Sequence, residues 1–138
     1  MDRQSYESYL DAFNSGDIDQ VLGYYHDTLS VCFAGLELTT RDAVRAFYSF
    51  FHRHVEERIE LVDFVSGDAS AYLEAIVRLR CIRSMDAQEA KSRYPGLVVL
   101  SEGDSFVMRQ LLQYKIDGGR FRSVTCAIVP DTAVSISQ

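Results

Sequence analysis

The chain has 138 residues, of which 47% are hydrophobic and 25% charged, and it carries a net charge of −6 at pH 7. This length fits one domain with a core and a pocket, and the apolar fraction excludes a disordered chain. The negative charge argues against nucleic acids and anionic membranes as partners. We therefore expect a single domain over residues 1–138.

The cysteines and the N-terminus bear on the compartment. Cys32, Cys81 and Cys126 are odd in number and far apart, which favours reduced thiols over a disulfide framework. Residues 1–7 lack the apolar core of a signal peptide, and no run approaches the roughly 20 apolar residues of a membrane span. These features predict a cytoplasmic protein.

Two helices are predicted at the start of the chain. Residues 2–14 carry apolar side chains at the i, i+3, i+4 and i+7 spacing of one helical face, and residues 14–16 stop this helix. Asp17 then begins a second helix, where Gln20 completes a capping box and the apolar stripe extends to Tyr25.

A strand and a third helix follow. Apolar and polar residues alternate over residues 28–33, which predicts a strand that ends before Gly35. Thr39 or Thr40 is suited to cap the helix, because a hydroxyl accepts hydrogen bonds from amides that the first turn leaves unpaired. The apolar face of this helix contains Val44, Phe47, Tyr48, Phe51 and Val55.

The second half of the chain has the alternation of strands. Four strands are predicted, over residues 58–65, 69–82, 105–116 and 120–129. The sequence Asp117-Gly118-Gly119 joins the last two as a hairpin.

Helices early and strands late predict an α+β fold. We expect a cone-shaped, curved and mainly antiparallel sheet wrapped around three N-terminal helices, with an internal pocket at the open end of the cone. Residues 6–129 form the core of this single domain. Residues 86–93 fit either a helical turn or a mobile loop, and residues 130–138 fit a polar tail.

Motifs that bind nucleotides or metals are missing. The sequence has no GxGxxG, GxxxxGK[ST], GxSxG, HExxH or CxxC pattern. His52 and His54 lie on different sides of one predicted helix, so they do not chelate one ion from the same face. We therefore expect no metal site and no cofactor.

Three tyrosines lie on apolar stripes. Tyr9, Tyr25 and Tyr48 belong to the stripes of the three predicted helices, so their hydroxyls can converge on one side of the sheet. In one interpretation each ring fills core volume and its hydroxyl reaches a backbone carbonyl or the surface. In the other, the hydroxyls together polarise a carbonyl or stabilise an oxyanion.

Two titratable residues are candidate bases. His52 follows Tyr48 by one helical turn and titrates near neutral pH, while a helix-end histidine half in solvent is the alternative. Asp63 shares the strand parity of Ile59, which predicts a pocket carboxylate, unless it lies past the sheet edge in water. Gln110 is predicted to be an inward polar group of a later strand.

The chain also resembles a known family in three segments. These are YLDAFNSGDIDQVLGYYHDTLSVCF at residues 9–33, RDAVRAFYSFF at residues 41–51 and YKIDGGRF at residues 114–121. They resemble the nuclear-transport-factor-two-like superfamily, in its SnoaL-like and ketosteroid-isomerase-like branch, over residues 6–129. The resemblance implies a cone-shaped α+β barrel, a pocket for a small apolar ligand and a homodimer formed through the outer face of the sheet.

Carried over residue by residue, this resemblance implies roles for the tyrosines. Tyr9 falls at the oxyanion-hole tyrosine of ketosteroid isomerases, and Tyr25 and Tyr48 fall at its two supporting tyrosines. The implied donor is therefore Tyr9.

The acids of the family have no counterpart here. Phe33 stands where ketosteroid isomerases carry the aspartate base, and Leu111 or Leu112 stands where they carry a second acid. The acids that accompany the arginine of limonene-epoxide-hydrolase-like proteins are also missing around Arg109. The resemblance thus implies the fold and the pocket, and not steroid isomerisation by the familiar route.

Three functions fit these features. The first is an enzyme, such as an isomerase, cyclase or dehydratase, that acts on an apolar carbonyl compound with Tyr9 as donor and His52 or Asp63 as base. The second is a non-catalytic module that binds a small ligand or forms dimers, and the third is an accessory subunit of a larger enzyme. The predicted substrate-binding residues are Tyr25, Phe33, Tyr48, Gln110, Leu112 and Cys126.

Overall fold

This computed structural model describes residues 1–130 and 134–135 of the chain. The helices are α1 (Arg3–Asn14), α2 (Ile18–Leu22), α3 (Arg41–His54) and α4 (Ala87–Arg93). The strands are β1 (Tyr25–Phe33), β2 (Leu36–Leu38), β3 (Val55–Ser66), β4 (Ser70–Cys81), β5 (Ser105–Asp117), β6 (Arg120–Ile128) and β7 (Val134–Ser135). No helix among these residues is long and apolar enough to cross a membrane.

The strands form one sheet in the order β2-β1-β6-β5-β4-β3, and β7 pairs with β5 at Phe106 and Val107. Strands β1 and β6 are parallel, whereas the other neighbours are antiparallel. The predicted α+β fold, with helices packed on a curved and mainly antiparallel sheet, is confirmed. Of the predicted tail at residues 130–138, only Pro130 and the backbone of β7 lie within the described residues.

Side-chain caps determine where the helices begin. The Asp17 carboxylate accepts a hydrogen bond from Gln20 N at 3.1 Å, and the Thr40 hydroxyl accepts one from Ala43 N at 3.0 Å. These oxygens satisfy amides that have no partner within the first turn of a helix. Of the two structures predicted for residues 86–93, the helical turn is confirmed, because these residues form helix α4 and its N-cap.

Two residues assigned to helical stripes lie in strands instead. Tyr25 is the first residue of β1, because α2 ends at Leu22 and the Tyr24 carbonyl accepts a hydrogen bond from Phe121 N of β6 at 2.8 Å. Val55 is the first residue of β3, which follows α3 without a loop. Both side chains are still buried in the core.

Two tight turns use positive φ angles. Gly118 and Gly119, with φ of 59° and 78°, form the predicted hairpin between β5 and β6, because such turns match the twist of the paired strands. Ala34 and Gly35, with φ of 48° and 76°, turn the chain into β2. Strand β2 was not predicted, since three residues are too few to display a period of two.

The core lies between the helices and the inner face of the sheet. Asn14, at the end of α1, exchanges two hydrogen bonds with the backbone of Ile59 on β3, at 2.8 and 2.9 Å. This contact joins the helical layer to the sheet beside a cavity. The largest fully buried side chains include Tyr6, Phe47, Phe50 and Phe121.

Candidate active site

A cavity of about 320 Å³ lies between the helices and the inner face of the sheet. That volume suits a small organic molecule. Aromatic and aliphatic side chains form most of the wall, and Glu57 is the one charged side chain among the described residues that line it. The polar lining residues are Tyr9, Tyr25, Tyr48, Glu57, Gln110, Tyr114 and Cys126.

Tyrosine hydroxyls meet in pairs at this cavity. Tyr9 Oη of α1 lies 3.2 Å from Tyr25 Oη of β1. Tyr114 Oη of β5 lies 2.8 Å from the Oη of Tyr6, a second buried tyrosine of α1. Tyr48 lines the cavity from α3. The structure thus brings Tyr9, Tyr25 and Tyr48 to one cavity and adds Tyr114, which the sequence analysis does not single out for the site. Tyr6 bonds Tyr114 but does not line the cavity.

Burial keeps these phenols protonated. Desolvation raises the pKa of Tyr25 to about 12 and raises the pKa values of Tyr9, Tyr48 and Tyr114 well above the ordinary value for tyrosine. Each hydroxyl is therefore a hydrogen-bond donor at neutral pH. In the Tyr9–Tyr25 pair one hydroxyl donates to the other, so the accepting hydroxyl keeps its own O–H for a ligand.

The Glu57 carboxylate is bound by a histidine. His52 Nε2, near the end of α3, lies 3.0 Å from Glu57 Oε1 on β3. When Glu57 is ionised, its carboxylate only accepts hydrogen bonds and His52 Nε2–H is the donor. The imidazole packs against the rings of Phe13 and Tyr48, with centroids 5.6 and 5.2 Å away. Glu57 lines the cavity, whereas His52 contacts the Glu57 carboxylate without lining the cavity itself.

Glu57 is the functional candidate that sequence reasoning missed. The predicted strand began at residue 58, whereas β3 begins at Val55, so Glu57 was placed outside the strand. Its position two residues before Ile59 gives it the inward parity that was used for Asp63. The alternation of apolar and polar residues therefore indicates that Glu57 points inward. A strand predicted to begin at residue 58 leaves Glu57 out of that alternation.

Asp63 lies on the opposite face of the sheet from the one expected. The register of β3 and β4 shifts between Leu61 and Asp63, where Val62 forms a β-bulge. The extra residue reverses the alternation, so Phe64 packs against the core while Asp63 is exposed. The prediction that Asp63 points inward is wrong, and its side chain does not line the cavity.

Polar side chains of β5 and β6 meet on another part of the wall. Cys126 Sγ lies 3.1 Å from Gln110 Oε1, and Gln110 Nε2 lies 3.3 Å from Met108 Sδ. Burial raises the pKa of the Cys126 thiol to about 11, so the residue is a weak donor near neutral pH rather than a thiolate nucleophile. Phe33 and Leu112, also predicted to bind substrate, line the cavity.

A family model for the SnoaL-like domain matches residues 6–124. The chain belongs to the SnoaL-like family. This match confirms the resemblance to the SnoaL-like branch of the nuclear-transport-factor-two-like superfamily. No curated protein matches the sequence.

Solved structures share the fold of this SnoaL-like chain at low sequence identity. A candidate polyketide cyclase from Pseudomonas putida KT2440 is 21% identical, with a TM-score of 0.72 over 92% of this chain and 90% of that chain. A candidate polyketide cyclase from Xanthomonas campestris is 20% identical, with a TM-score of 0.71 over 88% and 84%. An epoxide hydrolase from M. tuberculosis is 12% identical, with a TM-score of 0.69 over 94% and 83%. At these identities the likeness shows the fold alone.

Phe33 gives this SnoaL-like cavity an apolar wall at the place where the ketosteroid isomerase resemblance puts an aspartate. Its ring packs against Phe47 and Tyr48, with centroids 5.1 and 6.4 Å away. The carboxylate of the cavity comes from Glu57 on β3 instead.

Proposed function

We propose that this SnoaL-like protein is an enzyme that moves a proton within a small, neutral, largely apolar carbonyl compound, as isomerases, cyclases and dehydratases do. One observation carries the proposal: a single carboxylate, that of Glu57, faces a cavity whose other described lining residues are uncharged and include hydroxyl donors. A carboxylate is a suitable general base, and phenols stabilise negative charge on an oxygen.

In the proposed reaction, Glu57 takes a proton from the carbon next to the carbonyl. The electrons of the broken C–H bond form a C=C bond, and those of the C=O double bond move onto oxygen. A hydroxyl of the Tyr9–Tyr25 pair donates a hydrogen bond to that oxygen. The proton that Glu57 now carries completes each reaction. Isomerisation follows when it returns to a different carbon of a conjugated enolate, and cyclisation when the enolate carbon attacks a second carbonyl and the alkoxide formed takes the proton. Dehydration follows when the proton passes to a departing β-hydroxyl, which leaves as water.

His52 is a positioning residue in this scheme. Its Nε2–H orients the Glu57 carboxylate through the 3.0 Å hydrogen bond, and the rings of Phe13 and Tyr48 restrict its imidazole. The sequence hypothesis of a histidine base thus becomes a glutamate base held by that histidine.

The accessory-subunit hypothesis has less support from the contacts. A docking surface for such a subunit would be the outward-facing pair Arg78 and Arg80 of β4. These side chains already form ion pairs with Glu60 and Glu56 of β3, at 3.8 and 2.9 Å. The ligand-binding module shares the cavity with the enzyme hypothesis and differs from it only in turnover.

Proton exchange separates these functions. The protein is incubated in D₂O with ketones such as 1-tetralone, and deuterium uptake next to the carbonyl is followed by NMR while melting temperatures are recorded. The proposal predicts catalysed uptake by at least one ketone that also raises Tm; a ligand at about 100 times its Kd adds roughly 2.7 kcal/mol of stability. A rise in Tm without exchange contradicts catalysis and favours the binding module. The absence of both effects favours the accessory subunit.

A further inference from the structure

Gln110 gives the cavity a second hydrogen-bonding position, away from the tyrosine pairs. Gln110, Leu112 and Tyr114 lie on one face of β5, since alternate residues of a strand share a face, and all three line the cavity. At a rise of about 3.3 Å per residue, the Cα atoms of Gln110 and Tyr114 are roughly 13 Å apart. Polar groups thus lie at both ends of this strand face, with the apolar Leu112 between them.

The thiol of Cys126 fixes which way the Gln110 amide is turned. Because the buried thiol has a pKa of about 11, its S–H is present at neutral pH and donates to the amide oxygen, 3.1 Å away. The amide nitrogen is therefore the other terminal atom, and it faces Met108 Sδ at 3.3 Å. The Glu57 charge also contributes to the raised pKa values of Cys126 and Tyr48, so this carboxylate lies near both groups.

The Gln110 amide nitrogen has hydrogen-bonding capacity to spare. It carries two hydrogens, and a thioether sulfur is a weak acceptor for one of them. Among the described residues, no oxygen accepts a hydrogen bond from Nε2. An amide N–H gains more from an oxygen than from a thioether sulfur, because oxygen is the stronger hydrogen-bond acceptor.

We propose that the substrate carries a second oxygen, across its apolar frame from the reacting carbonyl, and that Gln110 Nε2 donates a hydrogen bond to it. This inference rests on the proposed function, in which the tyrosines bind the carbonyl oxygen. It defines the substrate class as an apolar, at least doubly oxygenated carbonyl compound.

Affinities of matched ketones test the inference. 1-Tetralone has one oxygen, and its 5-, 6- and 7-methoxy derivatives add an acceptor oxygen at three positions on the same frame. Kd values are measured by calorimetry for the wild type, for Gln110→Leu and for Gln113→Leu. Gln113 is the control, because it lies on the outer face of the same strand and bonds Tyr72.

We expect at least one methoxy isomer to bind wild type about three- to tenfold more tightly than 1-tetralone, which corresponds to one neutral hydrogen bond. Gln110→Leu should abolish that gain, so that the methoxy isomer and 1-tetralone have equal Kd values in this variant, while Gln113→Leu should keep it. Gln110→Met is the second variant, in case the leucine variant does not fold.

The same Kd values separate a failure of the Gln110 inference from a failure of the proposed function. If 1-tetralone binds but no methoxy isomer gains affinity, or the gain survives both Gln110 substitutions, the inference is wrong and the proposed function stands. If none of the four ketones binds wild type, the tyrosines do not bind a carbonyl as proposed, and both statements fail.

Discussion

A phenol that accepts a hydrogen bond from another phenol still has its own proton to donate. The Tyr9–Tyr25 pair is built in this way, with the two oxygens 3.2 Å apart and both rings buried. Burial raises both pKa values, so the pair remains neutral while it binds a developing oxyanion. Its chemistry therefore requires the hydroxyls and not only the rings.

Loss of a hydroxyl from this pair should lower turnover more than stability. We expect Tyr9→Phe or Tyr25→Phe, whichever removes the donor to the ligand, to slow ketone exchange about 10²- to 10³-fold, as for loss of one oxyanion donor. Exchange rates and melting temperatures are measured for both variants. Tyr72→Phe, on the exposed outer face, is the control. Rates within twofold of wild type for both cavity variants would contradict the role of the pair.

The Cys126 thiol should react slowly with alkylating reagents. With a pKa of about 11, on the order of 0.1% of it is thiolate at pH 8, and the thiolate is the reactive form. Peptide mass spectrometry after timed iodoacetamide treatment should show a rate that rises about tenfold per pH unit from pH 7 to 10. A plateau near pH 8.5, as free cysteine shows, would contradict burial of this thiol.

At the scale of elements, one extra residue keeps a second carboxylate out of the cavity. Alternation along β3 points Glu57 and Ile59 inward, and the bulge at Val62 turns Asp63 outward. The helices and long strands could be predicted because their periods recur over many residues. The short strand β2 is too brief to show a period, and the bulge and the start of β3 depend on how β3 pairs with β4.

The link between α1 and β3 should contribute measurably to stability. Asn14→Ala removes two hydrogen bonds to the Ile59 backbone, at 2.8 and 2.9 Å, and leaves both backbone groups without that partner. We expect a loss of about 2 kcal/mol in the free energy of unfolding, measured by urea denaturation. Ser8→Ala, an exposed position on the same helix, should change it by less than about 0.5 kcal/mol. An Asn14→Ala effect as small as that would show that the link does not stabilise the fold.

At the scale of the whole molecule, the sequence predicted the fold and the cavity better than its chemistry. Fold and cavity follow from apolar patterns spread along the chain, and the family resemblance agreed with them. The proposed base is one side chain, Glu57. Its partner His52 approaches it because α3 runs directly into β3. Tyr114 meets Tyr6 across 108 positions, so no local pattern shows that pair.

The outer face of the sheet carries exposed apolar side chains, among them Val65, Tyr72 and Leu111. The homodimer that the family resemblance implies would cover this face. This dimer stays a prediction. Sedimentation equilibrium should give twice the mass of one chain for wild type and for Ser8→Arg, and the mass of one chain for Leu111→Arg. A monomeric wild type would contradict the prediction.

Substitution of Glu57 tests whether its carboxylate is the base of the reaction. Glu57→Gln keeps the shape of the side chain and removes its basicity, whereas Glu56→Gln changes the neighbouring carboxylate, which faces the outside and pairs with Arg80. In the ketone exchange assay, we predict that Glu57→Gln slows deuterium uptake at least 100-fold while ketone binding persists. Glu56→Gln should exchange at the wild-type rate. Exchange by Glu57→Gln within a few-fold of wild type would contradict the account, because the cavity would then hold a different base.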